Sequence, residues 1–259
     1  VEVVAAVVVV AAVVVEVASP VDVVVAAVVV APVVAAVVPV VLVAVVAPVV
    51  EAPPPVVELQ AAAEEVAAEK LSYLTFSGTT HEAAQEIASH FNSDYINTVV
   101  NTDIYGSQFA SVLKNIYALG AGIAHGLEYG DNFLSVYIAN CANEMANFLK
   151  KCDHCEGASA LATKPNYNAS VYLGDLLVTC YSLYSRNRTF GNMVGKGYAV
   201  KSAQVEMSMV AEGYPASRSV YQINQLIHAN MPIAETIYRI LWENLSPLEG
   251  FKKIEAVLV

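Results

Sequence analysis

The chain has no glycine before Gly78, no lysine before Lys70 and no arginine before Arg186. A dinucleotide fingerprint needs closely spaced glycines, because the backbone must approach a pyrophosphate at a helix N-terminus. Taken letter by letter, the first part of the chain has no such site. Basic residues are scarce throughout, 13 Lys and Arg against 24 Asp and Glu, for a formal net charge of −11. No nucleic-acid partner is expected. The four cysteines, Cys141, Cys152, Cys155 and Cys180, make no disulfide framework in a chain of this size and point to a reducing cytoplasm. Cys152-Asp153-His154-Cys155 lacks the second ligand pair that a structural zinc site requires, so no metal is expected. Long apolar runs are missing too, despite 56% hydrophobic residues and a mean hydropathy of +0.53. Glu2, Glu16, Asp22, Pro20, Pro32, Pro39 and Pro48 interrupt every stretch short of the roughly 20 residues a membrane span needs. No basic residue precedes them as in a secretory signal. No membrane insertion is expected.

What is present is unevenly distributed. Residues 1–58 use only seven residue types, chiefly Val and Ala. A natural segment of that kind would be an aggregation hazard, and residues 1–58 read as placeholder Val/Ala for other side chains. Val23–Val30 and Val40–Val46 read as continuous apolar strands of a parallel sheet. Glu64–Lys70 reads as a short helix and Leu71–Phe76 as a strand. Thr80 can cap a helix from His81 to about Asn92, and Tyr95–Val100 is a further strand. This order predicts an α/β domain over residues 1–101. Beyond it the pattern turns helical. Asp103 can cap a helix through Ala124, with Leu113, Ile116, Tyr117 and Gly120 at helical spacing. Asn132–Lys151 places Val136, Ala139, Asn143, Ala146 and Leu149 on related faces. Further helices are predicted over Leu173–Tyr184, Tyr198–Glu212, Ser217–Ala229 and Ile233–Glu243, punctuated by Pro215, Pro232 and Pro247. Residues 102–259 thus form an all-helical domain large enough to bury its own core.

Lys114 lies among Val112, Leu113, Ile116 and Tyr117. Two readings are open: a lysine that snorkels to water, or an amine that passes a proton once desolvation lowers its pKa. Asp175, after Gly174 and before an apolar run, is by default a helix N-cap. It could equally hold a substrate hydroxyl or orient the lysine ammonium, and Thr179 would face the same way one turn later. Arg186, Asn187 and Arg188 fall at the predicted end of that helix. Arginine's planar fork suits phosphate oxygens. Arg186, Arg188, Lys196 and Lys201 lie within 16 residues, a solvated basic face or a phosphate-handling loop. Gly191, Gly195 and Gly197 favour the loop.

These motifs occur in order: Asp103-Ile104-Tyr105-Gly106, Leu113-Lys114-Asn115, Ala121-Gly122-Ile123-Ala124-His125-Gly126, Gly174-Asp175-Leu176, Ser185-Arg186-Asn187-Arg188, Val210-Ala211-Glu212-Gly213 and Met231-Pro232-Ile233. From about Ala63 to Val259 the chain resembles the bacterial-type NAD(P)-dependent glycerol-3-phosphate dehydrogenases. The resemblance implies an α/β Rossmann-like N-terminal domain, incompletely represented in residues 1–101. It also implies an all-α C-terminal domain of the 6-phosphogluconate-dehydrogenase-like type over residues 102–259. The implied activity is interconversion of dihydroxyacetone phosphate and sn-glycerol 3-phosphate with NAD or NADP, for phospholipid synthesis, by a cytoplasmic homodimer. Lys114 would be the general acid/base. Asp175, Ser185, Arg186 and Asn187 would bind the substrate, in a pocket lined also by Asn115 and Thr179. Ala63, Arg186, Val210 and Glu212 would touch the dinucleotide. The chain departs from the family at Leu59-Gln60, where a Gly-Pro is expected, and in lacking a second lysine after the strand near Val40–Val46. The rival readings are a related hydroxyacid dehydrogenase and a non-catalytic binding protein with a real Val/Ala extension.

Overall fold

The computed structural model describes residues 14–19, 22–24, 42–46, 56–60, 66–78, 80–152, 166–207 and 209–259. The chain divides into two compact units between Ile104 and Tyr105.

The first unit is built on strands β1 (Val14–Ser19), β2 (Asp22–Val24), β3 (Leu42–Val46), β4 (Val56–Gln60), β5 (Ser72–Gly78) and β6 (Ile96–Asn101), in the sheet order β2-β1-β3-β4-β5-β6. Helix α1 (His81–Ser89) connects β5 to β6. Those two strands run parallel from Ser72 beside Ile96 to Ser77 beside Asn101, as a helical crossover requires. β1 and β3 are also parallel, whereas β1–β2, β3–β4 and β4–β5 are antiparallel. The sheet is therefore mixed where the apolar blocks predicted a parallel one. Val25–Val30, the rest of the first predicted block, lie outside the described residues. Leu59 and Gln60 are strand residues of β4. Thr80 caps α1 as predicted, its Oγ1 accepting from Ala83 N at 3.2 Å. The helix stops at Ser89, and Phe91 beyond it packs with Leu74, Phe76, Ala84 and Ala88. The predicted helix at Glu64–Lys70 shrinks, among its described residues, to one turn that Glu69 ends at φ 53°.

The second unit wraps helices around α2 (Ile104–Gly126), which is buried on every side from Leu113 to Ala124. A helix apolar all round belongs at a core's centre. Against it lies α3 (Asp131–Cys152), followed by a π-helical turn (Ser170–Gly174) leading into α4 (Asp175–Tyr181). Then come α5 (Arg186–Gly195), α6 (Val200–Glu206), α7 (Gly213–Ile227), α8 (Pro232–Trp242) and α9 (Pro247–Glu255). The buried stripe of α3 is Leu134, Tyr137, Ile138, Cys141, Glu144, Met145, Phe148 and Leu149. Of the face predicted from spacing only Leu149 belongs to it; Val136, Ala139 and Asn143 are exposed. Bulky apolar side chains gain more from burial than alanines, and they rotate the helix accordingly. α7 begins four residues earlier than predicted because Pro215 sits in its first turn, where a missing N–H costs nothing. Among the described residues no helix is long and apolar enough to cross a membrane.

α5 corrects the reading of Gly191 and Gly195 as a phosphate-handling loop. Both lie inside a helix, and both face α2. A Cβ on Gly191 would stand 2.0 Å from Leu119 O, and one on Gly195 would stand 2.4 Å from Ile123 O. From the other side, Gly122 would meet Arg188 O at 2.1 Å and Gly126 would meet Asn192 O at 2.5 Å. Two helix backbones touch along this seam, and no side chain fits between them. Gly197, at φ +93°, follows the end of α5 in the left-handed region that glycine tolerates. Gly191→Ala should destabilise the protein by about 1–3 kcal/mol through overpacking. At ~2–4 °C per kcal/mol for a chain of this size, thermal denaturation reads this directly. Gly130→Ala, with nothing within 4 Å of its added Cβ, should leave the midpoint near that of the parent.

Candidate active site

Burial of α2 carries Lys114 into the interior, at 5% exposure. Its Nζ donates to Asp175 Oδ2 at 2.6 Å. The ammonium thus ends on a carboxylate and not in water, unlike that of a snorkelling lysine. Asp175 is not the N-cap predicted from its position. The preceding π-helical turn makes α4 continue an existing helical backbone, and the Asp175 N–H already bonds to carbonyls of Ser170 and Tyr172. Its carboxylate, with no open helix start to cap, turns to Lys114. The side chain of Asp175 is 23% exposed, so one face of the pair is reachable from outside.

A second cluster adjoins the first through the next residue of α2. Asn115 donates through Nδ2 to Ser111 O at 3.1 Å and to Glu212 Oε2 at 3.3 Å, and its Oδ1 accepts from Asn187 Nδ2 at 2.8 Å. Asn187 Oδ1 in turn accepts from Gly213 N at 2.8 Å. Arg186 places Nη2 3.8 Å from Glu212 Oε1 and donates through Nη1 to Val210 O at 3.4 Å. Arg186 does not end a helix, as the sequence suggested, but opens one. Ser185 is the N-cap of α5, its Oγ accepting from Arg188 N at 3.3 Å. A guanidinium at a helix N-terminus joins a fixed cation to a partial positive charge and unsatisfied N–H groups. Arg188 does not share this aim, because its guanidinium donates to Tyr181 O at the end of α4.

The structure therefore brings together Lys114 with Asp175, and Asn115 with Asn187, Glu212, Arg186 and the Val210 carbonyl. Thr179 lies one turn after Asp175 on α4, but its hydroxyl donates to Asp175 O at 2.6 Å. Ala63 lies outside the described residues, as do Asp153, His154 and Cys155. The Gly213 backbone N–H, which anchors Asn187, was not visible in the sequence, since no side chain announces it. Nor was Glu144, a buried carboxylate on α3. It accepts from Tyr117 Oη at 3.2 Å, Ile233 N at 2.8 Å and Ala234 N at 2.9 Å.

Residues 103–252 match the protein family described as NAD-dependent glycerol-3-phosphate dehydrogenase C-terminus. The chain belongs to the NAD-dependent glycerol-3-phosphate dehydrogenase family. It is 34% identical over 192 residues to the glycerol-3-phosphate dehydrogenase [NAD(P)+] of Lactococcus lactis subsp. cremoris strain MG1363, covering 74% of this chain and 54% of that protein. The enzyme of the same name from Enterococcus faecalis is 32% identical over the same shares. The chain thus spans about half the length of these relatives. Among solved structures, the glycerol-3-phosphate dehydrogenase of Coxiella burnetii superposes with a TM-score of 0.67 at 25% identity, covering 77% of this chain and 60% of that one. A Saccharomyces cerevisiae glycerol-3-phosphate dehydrogenase superposes with a TM-score of 0.65 at 20% identity, over 83% of this chain and 60% of its own, and attests the shared fold. The fold class is that of these dehydrogenases, a Rossmann-like α/β unit followed by an all-α unit.

Proposed function

We propose that this protein interconverts dihydroxyacetone phosphate and sn-glycerol 3-phosphate, with NAD(H) or NADP(H) as the redox partner. The observation that carries the reading is the buried Lys114–Asp175 pair one residue away from an amide network that ends on Arg186. A proton donor and a phosphate-type cation are held on one scaffold. When bound, the dinucleotide supplies or accepts the hydride at C2 of the substrate. Lys114 Nζ delivers the proton to the C2 oxygen in reduction and takes it back in oxidation. Asp175 holds the amine in place and balances its charge. Arg186 binds the phosphate with its planar fork, exchanging the long Glu212 contact for shorter bonds to phosphate oxygens. Asn115 and Asn187 fix the distance between these two ends, and Thr179 and Ser185 complete the substrate pocket. The guanidinium of Arg186, the half-exposed carboxylate of Glu212 and the carbonyl of Val210 suit the hydrogen-bonding edges of a dinucleotide, and Ala63 belongs to the same role. Residues 1–101 would be the dinucleotide-binding domain and residues 102–259 the substrate domain, in a cytoplasmic homodimer serving phospholipid synthesis.

Oxidation of NADH and of NADPH on addition of dihydroxyacetone phosphate tests the reading, with an Arg186→Ala variant beside the parent. The parent should turn over, and Arg186→Ala should lose roughly 10- to 100-fold in kcat/KM, the worth of charged hydrogen bonds to phosphate. Protein of verified mass and fold that oxidises neither cofactor would sink the proposal and leave a binding protein.

A further inference from the structure

The second unit holds a cavity of about 620 Å³ lined by Asn147, Lys150, Lys151, Asn224, Gln225, His228, Ala229 and Asn230. It lies between the C-terminal ends of α3 and α7. The N-terminal end of α7 is the Gly213 that anchors Asn187, and the helix has 15 residues. At 1.5 Å per residue the cavity is therefore about 20 Å from that anchor. The proposed reaction uses none of its residues.

The chemistry of the lining is one-sided. Among the described residues, two lysines, a histidine and four carboxamides face the cavity, with a single alanine and no carboxylate. This happens in a chain with nearly twice as many acidic as basic residues. Lysines near helix ends commonly serve the last carbonyls, and Lys151 does so by donating to His228 O at 2.5 Å. That duty does not account for Lys150, Asn147, Gln225 or Asn230. Lys150 Nζ stands 5.8 Å from the centre of the Tyr167 ring, which steadies it at the rim. The wall opposite is the C-terminal end of α7. Asn224 clamps Ala229 from both sides, donating to its carbonyl at 3.0 Å and accepting from its N–H at 2.9 Å. His228 closes α7 in the left-handed conformation, at φ 55° and ψ 37°, a position that ordinarily goes to glycine.

We propose that this cavity is a second binding site, for a small polyanion such as a phosphorylated or polycarboxylated metabolite. Lys150 supplies charge, His228 an imidazole edge, and the carboxamides of Asn147, Gln225 and Asn230 serve the remaining oxygens and hydroxyls. The site is independent of the proposed reaction, and its test removes the active-site cation first. Inorganic phosphate and citrate are titrated calorimetrically into Arg186→Ala protein. One equivalent should bind with a Kd of ~1 mM or tighter, citrate more tightly than phosphate because it spans more of the lining. Adding Lys150→Gln and His228→Gly should weaken binding by at least about tenfold. Both changes suit the local backbone, glycine better than the native residue. Asn147→Asp, which keeps Lys150 and His228 but adds a carboxylate, should weaken it as well. A Kd above ~10 mM in the Arg186→Ala protein, or affinity untouched by these substitutions, would overturn the proposal. Either result would leave the dehydrogenase reading where it stands.

Discussion

Lys114→Met should lower kcat by about 10²- to 10⁴-fold, the usual worth of a positioned general acid or base, with KM for dihydroxyacetone phosphate changed only a few-fold. Methionine is close in length to the lysine stem and suits the apolar surroundings of α2. Phosphate binding would be intact because Arg186 is untouched. The substitution leaves Asp175 without its partner, but that carboxylate is 23% exposed on its side chain and can be hydrated. Loss of turnover should therefore far exceed loss of stability. Steady-state kinetics with both parameters resolved, next to a denaturation curve, decide the matter. A variant with parental kcat and a raised KM would reduce Lys114 to a binding group and remove it from the chemistry.

Glu144→Ala should be the most destabilising single substitution named here. The carboxylate is 5% exposed and receives three donors, Tyr117 Oη and the N–H groups of Ile233 and Ala234. Each buried donor left unpaired costs about 1–3 kcal/mol, so the sum for three is of the order of 3–9 kcal/mol. That is a large share of the roughly 5–15 kcal/mol by which domains are stable. The same group gives the protein a pH dependence with a definite sign. Burial raises its pKa from 4.5 to about 7, outweighing the donors from Ala234, Ile233 and Tyr117 that favour the anion. The folded state then binds this proton more strongly than the unfolded state does. Its stabilising contribution is complete below about pH 4.5 and is lost as the pH rises through about 7. Unfolding free energies across that window should fall with pH by up to roughly 3 kcal/mol from this group, and Glu144→Gln should flatten the slope. A parent whose stability climbs over the same window, with the Gln variant climbing alongside, would contradict the assignment.

Much of the candidate site's geometry was legible because its residues sit where local rules are informative. Lys114 stood out as a charge inside an apolar helical pattern, and the burial of α2 is what that pattern means. Thr80 announced its helix through capping chemistry alone. The failures share a cause: a residue with two physical uses, between which only tertiary structure chooses. Glycine marks flexible loops and also the places where backbones touch, so Gly191 and Gly195 read as a loop when they line a helix seam. Proline ends helices and also opens them, so Pro247 hid the whole of α9 and Pro215 displaced the start of α7. Aspartate after glycine usually caps, but at Asp175 the backbone donors were already taken from behind. Glu144 drew no reading at all, because nothing local discloses that another helix brings its N-terminus to a buried carboxylate.

The glycine seam also bears on how this family can change. Facing positions rise together along α2 and α5, with Gly122 opposite Arg188 and Gly126 opposite Asn192. The two helices are therefore parallel, and Lys114 and Arg186 both lie on the N-terminal side of the seam. The seam is a gauge block: on the proposed reaction it would set the span between the amine that serves the C2 oxygen and the guanidinium that binds the phosphate. A methyl group inserted far from the chemistry would reset that span, and misplacements of about 1 Å can cost 10²-fold in rate. Lineages should be able to exchange surface residues of either helix freely, while these four glycines stay locked unless both sides of the seam are redrawn at once.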